Sequence, residues 1–273
     1  MHLQPFVAPR MKISRGVKHT DELKETLAEF RARVKMAMVP VGHWQDMTEY
    51  RLRFSEPPPP LIPIMLGDAI HNFRASLDLL ITDVARLRGE KGDNLKYPFA
   101  GDEAGLDKIL KKEGFPRIGS DVVALIKRTK PYKGGHMFLR ALHDLDITDK
   151  HKHLVPTYLV AMSRVRMDEQ TLDGFMEAFG LDMSRFAGPL SEGSMIRMRN
   201  GLNPWMDIEP SPEGPTPCIP APFPLAGEPV VKVLEGFAQL TTNAVDTFER
   251  LLRDGNDPTS STPSGDGGDI VGG

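Results

Sequence analysis

The stretch from residue 61 to residue 88 constrains the fold most, because it is strongly apolar and yet carries charges. Its apolar residues recur at helical spacing on one broad face, namely Ile62, Leu66, Ile70, Phe73, Leu77, Leu80, Ile81 and Val84. A helix that is apolar around most of its circumference is usually central in its domain. Its most apolar part, residues 61–81, is broken by Asp68, His71, Arg74 and Asp78. They argue against a membrane span, so the pattern predicts a long central helix.

The rest of the chain predicts an α+β fold around this helix. Helical periodicity predicts further helices over residues 14–34, 102–113, 119–129, 136–153 and 230–254, with a short one at 171–180. Alternation over residues 34–43 and 48–56 predicts a β-hairpin, and residues 155–209 predict short strands. We expect the 61–88 and 136–153 helices to pack antiparallel as a helical core, beside a small antiparallel sheet.

One α+β domain is expected, since a chain of 273 residues has the length of one domain or two small ones. The domain is predicted over residues 11–254, after a disordered extension at 1–10. From residue 255 to 273 the chain consists mostly of Gly, Ser, Pro, Thr and Asp, which predicts a disordered tail. Because the sequence begins with no signal-peptide pattern, we expect a cytoplasmic protein without a membrane partner.

The polar residues of the central helix are spaced so that they share one side. Asp68 and His71 lie three apart, as do His71 and Arg74, and Arg74 and Asp78 lie four apart. A polar group buried alone would cost free energy, so each should have a partner. An internal network, with Arg74 paired to Asp78, is one interpretation, and a functional site is the other.

A second polar group lies in the sequence LHDLDITDKHKHLVP, residues 142–156. On a helix, Asp149 continues the apolar line of Leu142 and Leu145, so it should point inward and meet Arg74 or His71. His143 and His153 are expected at the solvated end. We therefore predict two facing sets across the helix pair: Asp68, His71, Asn72, Arg74 and Asp78 against Asp146, Asp149, Lys150 and His151.

Two chemistries fit these facing sets. Asp and His ligands suit a divalent transition metal, and the candidate ligands are Asp68, His71, Asp146 and His151. Alternatively, a metal-free site would use histidine as acid or base and cations to hold phosphate charge. The candidate residues for that site are His71, Arg74, Asp149, Lys150 and His151.

A basic run from Lys127 to Lys133 precedes this segment. Such a run is usually a solvated face, and it can also contact the phosphate backbone of RNA. The net charge of -3 argues against a generic nucleic-acid-binding protein, although it leaves room for a local basic surface. A homodimer is a further expectation about partners.

Several motifs together resemble a family of bacterial proteins to which no reaction is attached. These are ISRGVKHTDEL, PPPPLIPIMLGDAIHNFRASLDLL, YPF and LHDLDITDKHKHL, and the resemblance covers roughly residues 11–160. A more distant similarity is to HEPN-like helical proteins, which include metal-independent ribonucleases. Their Arg-to-His spacing does not occur here, so that resemblance implies a role for Arg74, Lys150 and His151 through a different geometry.

Three functional hypotheses follow. In the first, which we favour, the His/Asp/Arg network is structural or mediates an interaction. The second is a metal-independent HEPN-like ribonuclease of a defence or toxin system. The third is a metal-dependent hydrolase with His and Asp ligands.

Overall fold

A computed structural model describes residues 4–92, 95–151, 158–161, 163–165, 190–191, 193–199, 208–210 and 214–254. Its helices are α1 Val7–Arg33, α2 Leu61–Leu87, α3 Glu103–Lys112, α4 Ser120–Thr129, α5 Met137–His151 and α6 Val230–Asp254, with a 3₁₀ turn at Phe115–Ile118. Its strands are β1 Met36–Trp44, β2 Met47–Phe54, β3 Tyr158–Ala161, β4 Ser163–Val165, β5 Leu190–Ser191, β6 Met195–Arg199, β7 Ile208–Pro210 and β8 Thr216–Cys218. The predicted α+β fold with a helical core is confirmed.

Helix α2 is the centre of the core, as its sequence predicts. Its apolar face is fully buried, and α1 runs antiparallel beside it. The antiparallel direction follows from two contacts at opposite ends, Phe6 N to Asp83 Oδ2 at 2.9 Å and Thr26 Oγ1 to Met65 Sδ at 3.7 Å. Gly16 lets the two helices approach closely, because a Cβ there would lie 2.6 Å from the Phe73 ring.

Helix α6 covers the other side of the helical core, in contact with α1, α2, α4 and α5. Its apolar face includes the fully buried Phe237, which meets the ring of Phe138 on α5 edge to face, with centroids 6.0 Å apart. Gly236 lies directly under the Phe138 ring, where a Cβ would overlap it. The predicted 230–254 helix is therefore confirmed as a core element.

The hairpin of β1 and β2 forms an antiparallel sheet with β6, in the order β1-β2-β6. Met38 opposes Leu52 on its inner face, and both side chains are buried in a small cluster separate from the helical core. Two further sheets, β5-β3-β8 and β4-β7, are also antiparallel. The predicted hairpin and an antiparallel sheet are thus both present. The predicted helix at 171–180 lies outside the described residues.

The ordered fold begins earlier than the sequence predicts. Helix α1 starts at Val7 rather than after residue 10, and Phe6 is buried in the core. Arg10 donates hydrogen bonds to Asp246 and Glu249 of α6, both at 2.7 Å. The predicted extension at 1–10 is therefore wrong for Phe6 to Arg10, because one apolar anchor and one ion-paired cation fix these residues to α2 and α6. The predicted tail at 255–273 lies outside the described residues.

Within the part of the chain that is described, no helix is both long enough and apolar enough to cross a membrane.

Candidate functional site

Arg74 is the most deeply buried cation of the central helix, with 7% of its surface exposed. It donates to Asp78 Oδ1 at 2.5 Å and to the main-chain oxygen of Tyr97 at 3.3 Å. Its guanidinium carbon lies 4.7 Å from the centroid of the Phe99 ring. The predicted Arg74–Asp78 pair is present. A buried cation needs several partners. The Tyr97 carbonyl and the face of the Phe99 ring therefore interact with the guanidinium in addition to Asp78.

Residues 97–100, Tyr-Pro-Phe-Ala, form an irregular segment that α2 and α4 both bind; we call it the YPFA segment. Its first amide, Tyr97 N, donates to Asp78 Oδ1 at 2.9 Å. The Tyr97 hydroxyl lies 2.7 Å from Thr129 Oγ1, at the end of α4. Burial raises the pKa of Tyr97 to about 12, so this phenol stays protonated at neutral pH. One tyrosine thereby connects two helices to the segment.

Arg140 fixes the other end of the YPFA segment from α5. It pairs with Asp144 through two hydrogen bonds of 2.9 and 2.5 Å, and its third contact is to the main-chain oxygen of Ala100 at 3.1 Å. The two-pronged geometry is the one that arginine and carboxylate groups favour, and it leaves one guanidinium nitrogen for the carbonyl. Arg140 and Arg74 therefore act on the same segment from two different helices.

His143 is half-buried against the YPFA segment. Its imidazole stacks on the Phe99 ring with centroids 4.2 Å apart and the planes 5° from parallel. Burial lowers the pKa of His143 to about 4, and the positive charges of Arg74 and Arg140 contribute in the same direction. Its Nδ1 atom is buried without a hydrogen-bond partner among the described residues. The expectation that His143 lies exposed at a solvated helix end is wrong, because Phe99 covers it.

His71 and Asp146 form the second contact between α2 and α5, one turn from Arg74. His71 Nδ1 lies 3.2 Å from Asp146 Oδ1. The histidine side chain is 45% exposed, whereas the aspartate side chain is only 7% exposed. A carboxylate at Nδ1 orients the ring and leaves Nε2 as its second nitrogen. One further turn along, Asp149 packs against Gly67, which confirms that the two helices run antiparallel.

The structure joins only part of the predicted facing sets. Asp68 is exposed, and Asn72 turns toward α1, where its Oδ1 accepts from Lys12 Nζ at 3.2 Å. Arg74 is directed to Asp78 and the YPFA segment rather than across to α5, because an irregular chain segment lies beside it. The side chains of Lys150 and His151, predicted for both chemistries, are outside the described residues.

The predicted metal site has limited support in this arrangement. Of its four candidate ligands, His71 and Asp146 are in contact, Asp68 is exposed, and the side chain of His151 is outside the described part. Among the described residues, no three or more His, Cys, Asp or Glu side chains are grouped so that they could hold a metal ion.

Sequence reasoning did not assign Tyr97, Phe99 or Arg140 to the site. The signals available were the YPF motif itself and the i,i+4 spacing of Arg140 and Asp144. Neither signal shows which helix the YPF motif contacts, because an irregular segment has no periodicity that would reveal its buried side.

Comparison with known proteins does not assign this site: no family model matches the sequence, and neither the curated proteins nor the solved structures include a significant match.

A cavity of about 650 Å³ lies elsewhere, beyond the C-terminal end of α2. It is lined by residues of the 89–95 and 113–118 stretches, including Lys91 and Arg117. None of the residues around the YPFA segment lines it. The cavity is therefore separate from Arg74, Asp78 and Arg140, which we call the polar cluster.

Proposed function

We propose that this chain is a non-enzymatic cytoplasmic protein that mediates an interaction, and that its polar cluster is a structural support for the YPFA segment. One observation carries the proposal: the charged side chains of α2 and α5 are hydrogen-bonded to the main chain of that segment. Asp78 accepts from Tyr97 N, Arg74 donates to Tyr97 O, and Arg140 donates to Ala100 O.

An irregular segment can be buried only if its peptide groups have hydrogen-bond partners. Tyr97 and Ala100 are both buried, and the segment belongs to no helix or strand. The main chain of Ala100 bonds to that of Pro131 and Lys133, whereas the amide and the carbonyl of Tyr97 bond to the side chains of Asp78 and Arg74. An unsatisfied buried peptide group costs about 1–3 kcal/mol, so these side-chain partners are needed at Tyr97. The cluster supplies them, which explains why an otherwise apolar helix carries an arginine and an aspartate one turn apart.

Replacing Arg74 tests this role. Arg74→Met keeps an unbranched apolar stem but removes the guanidinium, so Asp78 and the Tyr97 carbonyl lose their cation. We expect the free energy of unfolding to fall by about 2–3 kcal/mol. This is no more than the smallest loss usually seen when one partner of a buried ion pair is removed, because the Asp78 side chain is partly exposed. Urea unfolding measures the loss, and amide exchange of residues 95–102 should become faster.

The matched control is Asp68→Ala on the same helix. Asp68 is exposed, so we expect a change within about 0.5 kcal/mol. If Arg74→Met were as stable as the Asp68→Ala variant and left amide exchange of the segment unchanged, the structural role would be refuted.

A second candidate is acid–base catalysis by His71, and one observation favours it. A half-exposed imidazole oriented at Nδ1 by a buried carboxylate is the arrangement that leaves Nε2 available for proton transfer. In the HEPN-like hypothesis such a histidine would serve RNA cleavage without metal. Arg74 would then have to hold phosphate charge, but its guanidinium is directed to Asp78 and to the YPFA segment.

RNA cleavage in the presence of a chelator distinguishes the two candidates. Under the catalytic hypothesis the wild-type chain cleaves RNA, and His71→Gln abolishes cleavage while the unfolding midpoint is preserved. Under the structural hypothesis both proteins leave the RNA intact. The homodimer stays a prediction, which light scattering of the purified chain would check.

A further inference from the structure

Residues 127–136, KRTKPYKGGH, run from the last turn of α4 to the start of α5 and form a basic segment that contains no acidic residue. Lys127, Arg128, Lys130 and Lys133 are all exposed. The segment is positively charged, although the net charge of the chain is -3. The segment therefore carries a local potential opposite in sign to that of the molecule as a whole.

Most of this charge is not neutralised within the described part of the chain. Lys127 pairs with Asp107 of α3 at 2.7 Å, and both side chains are about half exposed. Arg128, Lys130 and Lys133 have no acidic partner among the residues that the structure describes. Three unpaired cations within six residues are the footprint expected for a polyanion.

The basic segment is held in one shape by its own hydrogen bonds. The Lys130 carbonyl accepts from Tyr132 N at 2.8 Å and from His136 N at 2.9 Å, and Tyr132 O accepts from Gly135 N at 2.9 Å. This shape is docked on the YPFA segment, because Ala100 N donates to Pro131 O at 3.1 Å and Ala100 O accepts from Lys133 N at 3.3 Å. A preformed loop loses little conformational entropy when it binds a ligand.

The neighbourhood of the cations favours single-stranded RNA over other polyanions. His136 is exposed and Met137 is 55% exposed, so an unstacked base can pack against a ring and an apolar side chain. Bases in a duplex are not available for such packing. On the α3 side, the exposed Glu103 carboxylate lies beside Tyr132 and can accept from a ribose 2′-hydroxyl, which DNA lacks.

We propose that the basic segment binds single-stranded RNA, with Arg128, Lys130 and Lys133 on the phosphates and His136 against a base. The proposal rests on the interaction-mediating function above and names its partner. In this arrangement the polar cluster has a defined purpose: Arg74, Asp78 and Arg140 hold the YPFA segment, and the YPFA segment holds the RNA-binding loop.

The test is fluorescence anisotropy of a labelled oligouridylate of about twelve nucleotides, titrated with the full chain at about 50 and 200 mM salt. The variant is the triple substitution Arg128→Gln, Lys130→Asn and Lys133→Gln. Asn is chosen at Lys130 because that residue has a φ of 48°, which asparagine tolerates. We expect Kd to rise at least tenfold at the lower salt. The slope of log K against log salt should fall by about 2, since each lost phosphate contact removes about 0.7.

The matched control removes the same charge from another surface, with Arg15→Gln, Lys18→Gln and Lys35→Gln, all exposed in and after α1. It should bind RNA as the wild type does. Equal weakening by both triple variants would show that only net charge matters and would overturn the site.

Two other ligands complete the experiment. Oligothymidylate of the same length should bind several-fold more weakly than RNA, and equal affinity would overturn the choice of RNA. Binding to phosphatidylserine-containing vesicles without binding to RNA would overturn the proposal in favour of a membrane surface. If RNA binding is absent while Arg74→Met still loosens residues 95–102, the partner is wrong and the structural role of the cluster stands.

Discussion

Acidification from pH 7 to pH 5 should destabilise the native chain through His143. The pKa of this imidazole is about 4 in the folded protein, against an ordinary value of 6.5. At a pH between these two values, His143 is protonated in the unfolded chain and neutral in the folded chain. Folding stability therefore rises with pH in this range. The stabilisation is complete above pH 6.5 and is lost as the pH falls through about 4.

Burial is the main cause of the low pKa of His143, and the charged groups that modify it belong to α2 and α5. Arg74 and Arg140 oppose protonation, and Asp144 and Asp146 favour it, but burial outweighs the two carboxylates. A difference of about 2.5 in pKa corresponds to about 3 kcal/mol over the whole window. Because the ring is partly exposed and solvent screens its charge, we expect about 1 kcal/mol between pH 7 and pH 5.

Urea unfolding followed by circular dichroism at both pH values measures this loss. Other groups titrate in the same range, so the informative quantity is the difference from His143→Phe, which keeps a ring against Phe99 but cannot be protonated. The variant should lose about 1 kcal/mol less than the wild type on acidification. If the two proteins lost the same free energy, His143 would not be held neutral by its surroundings, and the stacking on Phe99 would have no electrostatic consequence.

Two more substitutions test the helix packing, both read by urea unfolding at neutral pH. Gly67→Ala should lower the free energy of unfolding by about 1–3 kcal/mol, because the added methyl overlaps the Asp149 carboxylate. In an Asp149→Ala background the same change should be neutral or stabilising by up to about 1 kcal/mol, and a cost that persisted there would contradict the contact. Phe6→Ala should lower it by about 2–4 kcal/mol because the ring is buried in the core, whereas a change below 0.5 kcal/mol, typical of an exposed site, would support the predicted disordered extension.

The elements that could be predicted from the sequence are those whose apolar residues recur at a regular spacing. The apolar face of α2, the alternation of the β1–β2 hairpin and the amphipathic pattern of α6 all led to confirmed elements. The antiparallel packing of α2 on α5 was also predicted, and the contacts of His71 with Asp146 and of Gly67 with Asp149 confirm it. The Arg74–Asp78 pair followed from its i,i+4 spacing alone.

The contacts that could not be predicted involve chain segments whose apolar residues have no regular spacing. Phe6 holds the start of α1 in the core through one amide hydrogen bond and one buried ring, which no pattern in residues 1–10 indicates. Likewise His143 has a helical spacing that predicts exposure, but Phe99 covers it from a segment more than forty residues away. Partners of this kind are decided by tertiary packing.

The placement of charge on α2 has a physical explanation that does not require a reaction. Apolar residues of similar size in place of a buried ion pair often give equal or greater stability, so the Arg74–Asp78 pair is not explained by stability alone. An apolar pair could not satisfy the amide and the carbonyl of Tyr97, which bind Asp78 and Arg74 respectively. The pair therefore permits an irregular segment to be buried where water cannot reach its peptide groups. Because the main chain of Ala100 then binds Pro131 and Lys133, the charges buried in the core determine where the charges on the surface are displayed.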